Sequence, residues 1–203
     1  MAGTLPHAVF VETGMDEEGR TMAFAGELPG CAAVADDPTS AVAAVPARVT
    51  EFVGWLRAHG ESLAEPVGNW YEVERAEAGE RAAGGRQRAS FSLDELPPSA
   101  DEFATWLGWA ELAREELAAA LDARPAAAQT IAWLAAQDAA LAAELGTPSS
   151  GDDSVADLDR VYTARDALTT ALITAGPGGA GVRRALRLAI ADDLRAVELI
   201  SVR

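Results

Sequence analysis

The stretch 26–42, GELPGCAAVADDPTSAV, decides how the first part of the chain is read. Leu28-Pro29-Gly30 breaks an extended run, and Cys31 to Ala35 resumes it. Asp36-Asp37-Pro38-Thr39-Ser40 then offers side chains that cap a helix and a proline suited to its first turn. Working outward, HAVFVET (7–13) alternates and is rich in β-branched and aromatic residues, GMDEEG supplies a polar turn, and RTMAFAGE (20–27) reads as a second strand. After the break, Val42, Val45, Val49, Phe52, Val53 and Leu56 recur at helical spacing up to Gly60. Pro46 falls inside that pattern, which predicts a kink there or a helix that starts later. NWYEVERA (69–76) is a further strand.

Residues 77–90, EAGERAAGGRQRAS, carry glycine, alanine and charge without periodicity and read as a linker or loose hairpin tip. From 98 onward the chain changes to alanine-rich helical blocks. Ser99 and Glu102 have capping-box spacing ahead of Phe103, Trp106, Leu107, Ala110, Leu117 and Leu121. Pro125 opens a second block with Ile131, Leu134, Leu141 and Leu145, ending at Gly146. Ser154 and Asp157 have cap spacing before a third stripe of Leu158, Val161, Tyr162, Leu168 and Leu172. GPGGAG (176–181) stops it, and the fourth block carries Val182, Leu186, Ile190, Leu194, Val197 and Ile200. Four such helices bury their stripes best as a four-helix bundle.

The 203 residues include 32 acidic and 16 basic side chains, for a net charge of −16, and every basic residue is arginine. Such an excess disfavours nucleic-acid partners, whose phosphates demand cations. No apolar run reaches the roughly 18 residues of a membrane span. The first residues lack a basic then apolar leader, and one cysteine cannot form an internal disulfide, so the expected compartment is the cytoplasm.

The order strand, strand, Leu28-Pro29-Gly30-Cys31 turn, strand, Thr39 and Ala41 at a helix start, helix, strand resembles the HicB-like fold over residues 7–76. The resemblance implies an antitoxin-type sheet domain that covers a small RNA-cleaving toxin, usually with a separate DNA-binding module; no helix-turn-helix or basic ribbon is recognisable after residue 76. The order of helical blocks, with RRALRLAIADDLRAVELI last, is similar to the DinB superfamily over about residues 95–203. In that family three histidines bind a divalent metal. Aligned by their stripes, the corresponding positions here are Trp133, Asp192 and Ala196, so the metal centre is read as degenerate. Imidazole is the usual ligand at such centres, and His7 and His59 both lie in the other half.

The remaining candidates divide between structural and functional readings. Cys31 reads as a small apolar residue under the sheet, Trp133 as core filling or a stacking platform, and Asp192 as a solvated or arginine-paired acid. Trp106, Trp109 and Trp133, with Trp70, form either core or the lining of a pocket. Glu115-Glu116 and Asp192-Asp193 project about 100° apart on a helix and read as surface charges. His7 reads as exposed, and His59 as a C-terminal helix residue suited to the macrodipole.

Taken together, these features predict an α+β protein: a HicB-like sheet-plus-helix domain (1–76), a linker or hairpin (77–97) and an all-α DinB-like bundle (98–203). It is expected to be non-enzymatic, to carry no cofactor, to form a homodimer through an exposed edge strand, and to work by binding a protein or a small apolar molecule. Two alternatives stand beside it: a metal-dependent DinB-like transferase or hydrolase with a substituted site using Asp192 and neighbouring acids, and an antitoxin-like partner of a small basic toxin.

Overall fold

A computed structural model describes residues 6–80, 86–147 and 157–202. The protein is mixed α+β, and it divides into two compact units, 1–93 and 94–203. No described helix is long and apolar enough to cross a membrane.

The first unit is a four-stranded mixed sheet with one long helix. Strands β1 (His7–Thr13), β2 (Thr21–Ala25) and β3 (Ala32–Ala35) are joined antiparallel, and β4 (Trp70–Glu77) adds parallel to β1, giving the order β3-β2-β1-β4. Parallel pairing needs a crossover, and α1 (Pro38–Ala58) supplies it, burying Val45, Val49, Phe52, Val53 and Leu56. The helix begins where the sequence puts its cap: Asp37 is extended, its Oδ1 accepts from the Ser40 amide at 3.0 Å, and Pro38 opens the first turn. Pro46 does not delay that start, because α1 is helical from Pro38 onward. The ring lies on the exposed side, where the carbonyl it leaves without an intrahelical donor can be solvated.

The turn at 26–31 is fixed by two glycines for different reasons. Gly30 has φ +89°, a left-handed conformation that costs other residues strain. Gly26 donates to the Ala8 carbonyl at 2.9 Å. A Cβ there would meet Phe10 at 2.7 Å, so only glycine lets the strand end pass.

Residues 77–97, read as linker or hairpin, supply β5 (Gly79–Glu80) and β6 (Arg86–Gln87), which pair antiparallel, and then the buried Arg88, Ala89 and Phe91 of the first unit. Phe91 packs on Phe10 and Phe24, with ring centroids 5.4 and 6.1 Å apart. Glu12, on the same sheet face as Phe10 by two-residue alternation, is 0% exposed and accepts from Arg88 Nε at 2.9 Å and from the Ala89 amide at 2.6 Å. His7 is also buried, against the expectation of an exposed position. β4 brings Trp70 onto its ring at 4.6 Å, and Nδ1 meets Glu27 at 2.9 Å. That hydrogen bond raises the His7 pKa above its ordinary value.

The second unit contains α2 (Ala100–Ala123), α3 (Ala132–Glu144), α4 (Asp157–Ala175) and α5 (Val182–Ser201). Ser99 and Glu102 form the capping box in full, each side chain accepting from the other's amide. The proposed cap at Ser154 lies outside the described residues. α2 packs chiefly on α5, and α3 on α4. Leu117, Leu121, Ile131, Leu134, Val161, Ala196 and Ile200 form one apolar cluster. Every α5 residue from Arg184 to Asp193 is buried, so this helix has no solvent face over that span and its charged side chains must find partners inside.

Candidate functional site

The chemistry-bearing residues of the helical unit gather in its interior. Arg165 of α4, 4% exposed, places Nη1 3.2 Å from Asp138 Oδ1 on α3 and donates through Nη2 to Asp193 Oδ1 on α5. Asp192 is buried beside them and acts electrostatically on both Asp138 and Arg165. Burial drives the Asp138 carboxyl well above the usual carboxylate range, with Arg165 opposing the shift and Asp193 and Asp192 adding to it. Asp193 is pushed up to about 6, again first by burial. Burial works against the Arg165 charge, but the surrounding carboxylates hold its pKa above the ordinary guanidinium value.

This overturns the reading of Asp192-Asp193 as surface charges: the pair is 1% and 0% exposed. Adjacent helix residues do point apart, but both directions are interior on a helix covered all round. Glu115 is exposed and Glu116 half-buried.

The three positions matched to metal ligands do not act together. Trp133 is half-buried against the apolar cluster that contains Ala196, with the Arg195 guanidinium 5.2 Å from its ring centroid. Asp192 belongs to the ion cluster instead. Among the described residues no group of three or more histidine, cysteine, aspartate or glutamate side chains is arranged to hold a metal ion.

Trp106 and Trp109 are both buried on α2, and Arg183 lies over the Trp106 ring at 4.6 Å. A recess of about 10 Å³, room for about one water, is lined by Leu107, Ala110, Arg114, Arg165, Leu168 and Ala189 and reaches the ion cluster through Arg165. A second buried pair, Arg187 with Asp94, is bidentate at 3.1 and 2.6 Å.

In the sheet unit, Leu28, Pro29 and Gly30 form the turn beneath which Cys31 is held at 2% exposure. Burial pushes its thiol up to about 12, so the thiolate needed for nucleophilic or redox work is suppressed. His59 is exposed and its Nδ1 lies 2.9 Å from the Trp55 carbonyl.

Asp138 and Arg165 carry the cluster, yet neither was singled out from sequence. The signal was present in the phase of the stripes. Asp138 falls between Leu134 and Leu141, Arg165 between Val161 and Leu168, and Asp193 between Ile190 and Val197, each at core spacing.

No family model, no curated protein and no solved structure matches this chain.

Proposed function

We propose that the protein is a non-enzymatic, cytoplasmic binding protein, built from a HicB-like sheet domain and a DinB-like four-helix bundle in which an internal ion cluster has replaced the metal centre. The observation that carries this reading is the Arg165 guanidinium, buried against Asp138 and Asp193 with Asp192 beside them. It supplies from the chain itself the positive charge that a divalent ion would bring to facing acids. The suppressed Cys31 thiol supports the same reading, because it leaves the sheet unit's cysteine packed rather than reactive.

Self-association through the sheet unit belongs to this proposal. β4 is a terminal strand of its sheet, and Tyr71 and Val73 on it are 52% and 57% exposed. An extended edge with apolar side chains pairs readily with another strand.

Elemental analysis of protein purified without chelators tests the first part. No stoichiometric divalent metal is expected; one per chain would overturn it in favour of a metal-dependent enzyme. Sedimentation tests the second, where a single 21.1 kDa species would rule out the dimer.

A further inference from the structure

Asp138, Arg165 and Asp193 meet from three helices, and each is at least nine-tenths buried. The charged groups that face Asp138 are Arg165 from α4, Asp192 and Asp193 from α5, and Arg114 from α2. Arg114 already donates to Asp166 and Thr169, and Asp166 is an exposed side chain. Among the described residues that face Asp138, Arg165 is the guanidinium set directly against both Asp138 and Asp193, one positive charge between two buried carboxyls. Among the described residues nothing donates a hydrogen bond to either carboxyl oxygen of Asp138 or to Oδ2 of Asp193, although all three are shut off from solvent.

Surplus negative charge with undonated oxygens is among the costliest things to bury, and a carboxyl so placed neutralises itself by taking a proton. Protonation also converts an acceptor-only group into a donor that a neighbouring carboxylate can use. Asp193 keeps a direct hydrogen bond from Arg165 Nη2, which favours its ionised form. Asp138 has an ion-pair approach at 3.2 Å and no hydrogen bond from the described residues, so it is the better seat for a proton.

We infer that the helical unit holds one proton on Asp138 at neutral pH and takes that proton from solvent as it folds. The raised pKa values of Asp138 and Asp193 run in the same sense. For acids raised on folding, the stabilisation is complete below the ordinary carboxylate pKa and is lost as pH rises through the folded value. For Asp193 that window runs from about 3.9 to about 6; Asp138 extends it upward. The inference does not depend on what the protein binds.

Infrared spectroscopy of the full chain at pH 7 reads the proton directly, through a carboxylic-acid C=O band that shifts in heavy water. The band is expected in the wild type, absent in Asp138→Asn and retained in Asp193→Asn. Calorimetric refolding in two buffers of different ionisation enthalpy should show about one proton fewer taken up by Asp138→Asn. Absence of the band from the wild type overturns the inference without reference to any variant's fold. A band lost in Asp193→Asn and kept in Asp138→Asn overturns the assignment to Asp138.

Discussion

Replacing Arg88 by leucine should unfold the sheet unit more readily than replacing Arg88 and Glu12 together. In the native protein the Glu12 carboxylate, 0% exposed, accepts from Arg88 Nε at 2.9 and 3.0 Å and from the Ala89 amide at 2.6 Å. Arg88→Leu removes the cation and leaves the acid buried with one amide donor, a loss of about 3–5 kcal/mol for a broken buried pair. Glu12→Leu with Arg88→Leu removes both charges and fills similar volume; what remains is the Ala89 N–H without its acceptor, about 1–3 kcal/mol. The double variant should thus recover roughly 2 kcal/mol relative to the single one, taking the midpoints of those ranges. Urea unfolding followed by hydrogen exchange of the β1 and β2 amides reads the sheet unit separately from the helices. A single variant that costs less than about 1 kcal/mol, or a double variant at least as unstable as the single, would refute the argument that burial of an unpaired charge dominates here.

Two further outcomes follow from the turn that joins β2 to β3. Cys31 should resist thiol reagents in the native protein and react only after denaturation, since burial drives its pKa up to about 12; labelling at neutral pH without denaturant would contradict this. Gly30→Ala should cost about 1–2 kcal/mol by thermal unfolding because φ is +89°, and an unchanged midpoint would show that the loop relaxes freely.

The elements were largely legible in the sequence because their signals are local. Asp37 and Pro38 mark the start of α1, the Ser99–Glu102 box marks α2, and alternation in 7–13 marks β1. The interior chemistry was not, because polarity was equated with exposure. Glu12 is followed by a polar turn and reads naturally as facing water; its partner stands 76 residues away. His7 looked exposed beside Pro6, but its cover, Trp70, comes from a strand across the crossover. Arg165 and Asp193 were legible only to a reading that takes a charged residue in an apolar phase as evidence of a buried partner, and Asp138 confirms that such phases recur on α3, α4 and α5.

The parallel pairing of β1 with β4 has a consequence for synthesis on the ribosome. β1 and β2 can meet as soon as they emerge, yet β1 waits for β4 on its other side, and Glu12 waits for Arg88, 76 positions later. Until that segment clears the exit tunnel, the nascent sheet carries an uncompensated acid on one face and an open strand beside it. The steps that complete this unit are therefore delayed past translation of its helix, and a pause once Phe91 has left the tunnel would give them time to occur before the helical unit is complete.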